Sequence, residues 1–229
     1  MTSISATSTD TAVGPLARRD LQGFTSALEK KTLIAIARRL PAWVSPDHLT
    51  GLGVLSLAGA GLCYRLLAVT PLALLGVNGF LFLNWFGDSL DGTLARVREK
   101  QRPRYGFYVD HLLDAVGAIL LFGGLSASGL ASMTAVACLL IAYLLLQIHI
   151  ALKAHATGIF QIAFAGVGGT EARLLLGTAN VLVLLMPDLA VVGTPLAWVA
   201  AMTLIGLVFT DGLKTGRNLD REERLQWLE

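Results

Sequence analysis

Long apolar runs separated by short polar breaks dominate the chain beyond residue 44. Six of them approach or exceed the ~20 residues a helix needs to cross a bilayer. They cover about 49–67, 71–96, 109–125, 133–152, 169–186 and 194–212. Ser45-Pro46-Asp47 reads as the start of the first, with Ser45 as N-cap and proline at the first helical position. Gly129 marks a short turn between the third and fourth. Residues 156–169 are apolar but glycine-rich, too broken for a further span. Ahead of the first span the period changes. Leu33, Ile36, Ala37 and Leu40 recur at i, i+3, i+4 and i+7, with Lys30, Lys31, Arg38 and Arg39 elsewhere on the wheel. Ser26 and Glu29 have capping-box spacing, and Pro41 ends the segment. This is an amphipathic helix. Its apolar stripe faces either lipid or the protein's own cytoplasmic surface, and Trp43 is an interface anchor. The pattern predicts an all-α integral membrane protein: six transmembrane helices plus an N-terminal amphipathic interfacial helix.

The expected organisation is a disordered tail over 1–22, without a signal peptide, and a juxtamembrane helix over 23–43. A membrane domain over 44–214 and a second tail over 215–229 follow. Composition supports the membrane reading: 54% of residues are hydrophobic and only 15% charged, less charge than a soluble domain carries. Cys63 and Cys138 both lie inside apolar runs and read as packing residues. Of 18 Lys and Arg, the loops after the first, third and fifth spans hold only Arg65. The positive-inside rule therefore places both termini and the two loops on their side in the cytoplasm; the small size suggests a bacterial inner membrane. No nucleic-acid partner is expected.

Four aspartates break the apolar pattern. Asp88 and Asp91 lie at i, i+3 near the end of the second span, and Asp110 and Asp114 at i, i+4 near the start of the third. Each pair shares a helix face. An aspartate at mid-membrane depth costs roughly 2.5–3.5 kcal/mol, and four facing carboxylates also repel. Divalent cations with oxygen preference neutralise such a cluster most simply. Two ions clamped by shared carboxylates make a site for in-line displacement at phosphorus.

These residues carry a resemblance. Asp88-x2-Asp91-Gly92-x2-Ala95-Arg96-x9-Gly106-x3-Asp110-x3-Asp114 resembles the signature of the CDP-alcohol phosphotransferase family, integral membrane enzymes of phospholipid synthesis. The resemblance implies a CDP-alcohol substrate, most simply CDP-diacylglycerol, an acceptor alcohol, and release of CMP. It implies Mg²⁺ or Mn²⁺, as two ions, held by Asp88, Asp91 and Asp110, with Asp114 as general base and a possible ligand of the second ion. It also implies a homodimer among membrane lipids. Gly92, Ala95 and Gly106 would let the nucleotide approach, and Arg96 would pair with a phosphate or an aspartate. Thr50 belongs to a Pro46-Asp47-x-x-Thr50 segment where the family often has Asn for Asp47; Thr50 either approaches the nucleotide or caps the helix. Asn84, one turn before Asp88, either lines the site or bonds a neighbouring helix.

Thr170, Glu171 and Arg173, which open the fifth span, with His149, Lys153 and His155 at the end of the fourth, either form the acceptor pocket or are a helix cap and interface charges. A helix N-terminus with a threonine cap suits polar or anionic groups. Two other readings stay open. A CDP-linked choline- or ethanolamine-type alcohol can be the donor and diacylglycerol the acceptor. In a different class, the aspartates can serve a divalent-cation transporter.

Overall fold

The computed structural model describes residues 18–20, 26–161 and 168–227. Seven α-helices make up nearly all of them: α1 Ser26–Arg39, α2 Pro46–Arg65, α3 Ala73–Val97, α4 Pro103–Ser126, α5 Met133–Thr157, α6 Gly169–Leu185 and α7 Gly193–Gln226. Two three-residue strands, β1 Arg18–Asp20 and β2 Ile159–Gln161, pair in parallel. β1 thus falls inside the segment that the sequence assigns to a disordered tail; the rest of that segment up to residue 17 lies outside the described residues.

Among the described residues, four helical stretches are long and apolar enough to cross a bilayer: Pro46–Ala68, Pro103–Ser126, Met133–Thr157 and Pro187–Gln226. The other two expected spans are helical but differ in kind. α6 has only 17 residues, and α3 carries two asparagines and two aspartates among its apolar residues.

The helix ends follow local chemistry. Ser45 Oγ accepts from the His48 amide at 3.2 Å, and Ser45 N donates back to His48 Nδ1 at 3.3 Å, so α2 starts at Pro46 as its sequence requires. Ser132 caps α5 in the same way, accepting from Ala135 N. α5 runs five residues past its expected end and stops where Gly158 takes φ +68°. α4 starts at Pro103, six residues early. α7 continues unbroken through the expected C-terminal tail to Gln226.

α2 is the centre of the bundle. Its Gly61 lies so close to α4 that a Cβ on Gly124 would collide with the Gly61 carbonyl. On the α3 side, a Cβ on Gly87 would reach Leu49 O at 2.5 Å. Small residues at such crossings let backbones meet, which is how helices associate where lipid supplies no hydrophobic drive. Leu57, Ala60, Tyr64, Leu74, Val77, Leu81 and Leu121 fill the main core.

α1 packs against the bundle. Leu33 and Ala37 are buried with Leu49, Leu90 and Leu94, so the apolar stripe covers protein. Lys31, Arg38 and Arg39 are exposed on the other side, and Trp43 is 76% exposed. The Ser26 and Glu29 side chains lie outside those described. Arg98, just past α3, donates to the carbonyls of Leu40 (3.1 Å), Pro41 (2.8 Å) and Val44, tying the end of α1 to the end of α3.

Candidate active site

The turn between α3 and α4 folds the four aspartates back on one another. Arg98 and Lys100 amides bond to Leu94 and Ala95 carbonyls, and Glu99 takes φ +54°, a conformation that non-glycine residues rarely adopt. The last turns of α3 and the second and third turns of α4 then face a common cleft. Thr50 and Gly53 of α2 form its third wall.

One carboxylate oxygen from each of Asp88, Asp110 and Asp114 lies within 4.8 Å of the others. Oxygens sharing one hard cation, each ~2.0–2.6 Å from it, stand at most about 5 Å apart. The donor set therefore fits a divalent ion. It is all oxygen, half-buried and rich in negative charge.

Asp91 lines the same cleft but turns to α2. Its Oδ2 accepts from Thr50 Oγ1 at 2.6 Å, and its Oδ1 accepts from the Gly92 amide. Thr50 also donates to Pro46 O at 3.1 Å. The structure thus brings three of the four candidate ligands together and sets Asp91 beside them, held by Thr50.

Asp114 accepts from Gln147 Nε2 at 3.4 Å, and the same amide donates to Tyr143 Oη at 3.1 Å. Both partners come from α5. The sequence reading gave Tyr143 no part; its signal was the i, i+4 spacing to Gln147, a polar pair on one face of an apolar helix.

Arg173 enters from the first turns of α6. Its Nη2 donates to Asp88 Oδ2 at 2.6 Å and its Nε to Asn84 Oδ1 at 2.7 Å. Asn84 in turn donates to Gly53 O at 3.0 Å. Asn84 therefore both lines the cleft and bonds two neighbouring helices.

The remaining candidates divide. A Cβ on Gly92 would meet only Arg96 Nη1, at 3.4 Å, and one on Gly106 would meet nothing within 4 Å. Arg96 is exposed and donates to Thr93 Oγ1 at 3.0 Å; Ala95 is half-buried beside it. Glu171 caps α6 by accepting from Gly168 N at 2.9 Å, so the capping group is the glutamate. Thr170 is the second helical residue. His149 and Lys153 do not join Arg173: both bond Asp211 Oδ2 of α7, at 2.8 and 2.7 Å. Asp211 was missed in the sequence, although an acid at the end of an apolar span signals a buried partner. His155 is exposed. Asp47 pairs with Arg102, whose guanidinium stacks 4.2 Å from the Tyr105 ring centre.

The family model of CDP-alcohol phosphatidyltransferases matches residues 43–212. No curated protein matches the chain. The match covers well over half of the sequence and contains every aspartate of the cleft, and the chain belongs to that family. It is a membrane protein of a family of enzymes that move substituted phosphate groups from CDP-alcohols to acceptor alcohols, in general with divalent metal.

Proposed function

We propose that the chain transfers a phosphatidyl group from CDP-diacylglycerol to the hydroxyl of an acceptor alcohol and releases CMP. The observation that carries this reading is the convergence of Asp88, Asp110 and Asp114 on one cleft within the family-matched region. Mg²⁺ or Mn²⁺, as two ions, would be held by Asp88, Asp91, Asp110 and Asp114 and would neutralise the pyrophosphate. Asp114 takes the proton of the acceptor hydroxyl. The hydroxyl oxygen bonds to the phosphorus nearer the lipid, the bridging P–O bond breaks, and CMP leaves with that electron pair. Gln147 orients the Asp114 carboxylate, and Thr50 holds Asp91 against the cleft wall. Gly92, Ala95 and Gly106 leave room for the nucleotide at the cytoplasmic mouth, with Arg96 at its edge. Of the acceptor-pocket set, Arg173 is the residue beside the reacting centre.

The reading includes six crossings, α2 to α7, with both termini and the cleft cytoplasmic in a bacterial inner membrane. The positive-inside distribution of Lys and Arg supports that orientation. The domain limits 44–214 and a homodimeric assembly belong to the same proposal.

The test is CMP release by the purified protein from CDP-diacylglycerol with a panel of acceptor alcohols. Release should need Mg²⁺ or Mn²⁺, stop with EDTA, and depend on one acceptor. Release only from CDP-choline or CDP-ethanolamine with diacylglycerol would reverse the roles of donor and acceptor. Silence with both donor classes, together with Mn²⁺ flux into proteoliposomes, would replace the transferase by a transporter.

A further inference from the structure

Arg173 is a basic side chain bonded to one of the three converging carboxylates. It reaches Asp88 from another helix, with side-chain exposures of 20% for the arginine and 31% for the aspartate. Its second bond goes to Asn84 Oδ1, and Asn84 is pinned to Gly53 O. One end of the guanidinium therefore rests on a fixed anchor and the other on a candidate metal ligand. A Cβ on Gly169 would stand 3.1 Å from Arg173 Nη1, so the glycine keeps open the passage the guanidinium uses.

A cation held by Asp88 would stand within about 5 Å of that guanidinium, given a 2.6 Å bond and ~2.1 Å ligand distances. Two positive groups then share one carboxylate in a half-buried cleft. Each weakens the other's hold, unless an anion arrives to accept the guanidinium. The donor brings such an anion, its pyrophosphate, to the same cleft.

We propose that Arg173 competes with the divalent cation for Asp88, so that cation and CDP-donor bind cooperatively: the pyrophosphate draws the guanidinium off Asp88 and the carboxylate passes to the metal. The inference rests on the cation-binding reading of the cleft. Linkage makes the effect reciprocal, so the factor by which nucleotide tightens the cation equals the factor by which cation tightens the nucleotide.

The experiment is a Mn²⁺ titration of the full-length protein in detergent micelles, followed by the electron paramagnetic resonance of free Mn²⁺. It is run with and without CDP, with CDP alone as the control. The wild type should bind Mn²⁺ more tightly with CDP. Arg173→Gln should bind Mn²⁺ roughly 5-fold or more tightly without CDP and gain less from it. Arg173→Lys keeps the charge but cannot hold Asn84 and Asp88 together, and should fall between the two. It also serves as the test should the glutamine variant not fold. If neither variant binds Mn²⁺ more tightly than wild type, while Asp110→Asn abolishes binding, the competition is wrong and the metal reading stands. If the wild type takes up no Mn²⁺ at all, both fall.

Discussion

Two of the polar clusters in the bundle lie at opposite ends of α2, and they obey different rules. At the N-terminal end, Thr50 and Gly53 face Asp88, Asp91, Asp110 and Asp114, with Arg173 as a bonded counter-charge. At the C-terminal end, about 21 Å away at 1.5 Å per residue, Tyr64 donates to Asn180 Oδ1 at 2.9 Å. Asn180 donates to Asn78 Oδ1 at 2.8 Å, and Asn78 to Gly177 O at 3.0 Å. That second cluster is uncharged, its donors and acceptors match in series, and Tyr64 and Asn180 are buried. It joins α2, α3 and α6 and has no excess charge with which to hold a ligand. The first cluster is open and overcharged. Like charges are gathered there against the stability of the fold, which is how functional sites depart from packing rules. Polarity in an apolar bundle is thus no sign of a site by itself. Imbalance of charge, opening onto a cleft, is the sign.

The comparison breaks most decisively at the aspartates. Asp114→Asn should cut CMP release by at least about 100-fold, the low end for loss of a general base. Its thermal unfolding temperature should stay the same or rise, because one of three crowded charges is gone. A drop in that temperature would put Asp114 in the structural class with Asn180. Next, Asn180→Ala should destabilise the protein by about 1–2 kcal/mol in detergent, since two interhelical bonds are lost. Activity per folded molecule should persist; loss of activity at full stability would make the neutral cluster part of the site. Thr50→Val tests the boundary between the two. It removes the bond that holds Asp91 and should lower turnover less than 10-fold, under about 1.4 kcal/mol, with little change in stability. The smallest effect is expected from Tyr64→Phe, about 0.6 kcal/mol in unfolding, since the ring remains packed.

The motif half of this contrast was legible in the sequence. Spacings of three and four residues put each aspartate pair on one helix face, and a short basic loop made the two helices neighbours. The helix positions were legible too, from apolar run lengths and from Ser45-Pro46 as a start signal. What could not be read was rotation and partnership. His149 and Lys153 lie on α5 as Gln147 does. Gln147 faces Asp114 while the other two face Asp211. Nothing in α5 alone says which neighbour stands on which side. Likewise the apolar stripe of α1 fits lipid and protein equally, and only the place of Leu90 and Leu94 decides. The ends of α4, α5 and α7 run beyond their apolar stretches because helical hydrogen bonding does not stop where hydropathy falls.

The clamp of Arg98 on the carbonyls that follow α1 also fixes an order in time. Arg98 stands 58 residues after Leu40. At ~5–20 residues per second, α1 is synthesised about 3–12 s before the arginine that fastens it, and almost as long before Leu90 and Leu94. Through that interval, of the buried partners of Leu33 and Ala37, Val44 and Leu49 have been made and Leu90 and Leu94 have not. The seat of α1 is therefore built in two stages: first the start of α2, then the back of the aspartate helix once that helix has been made.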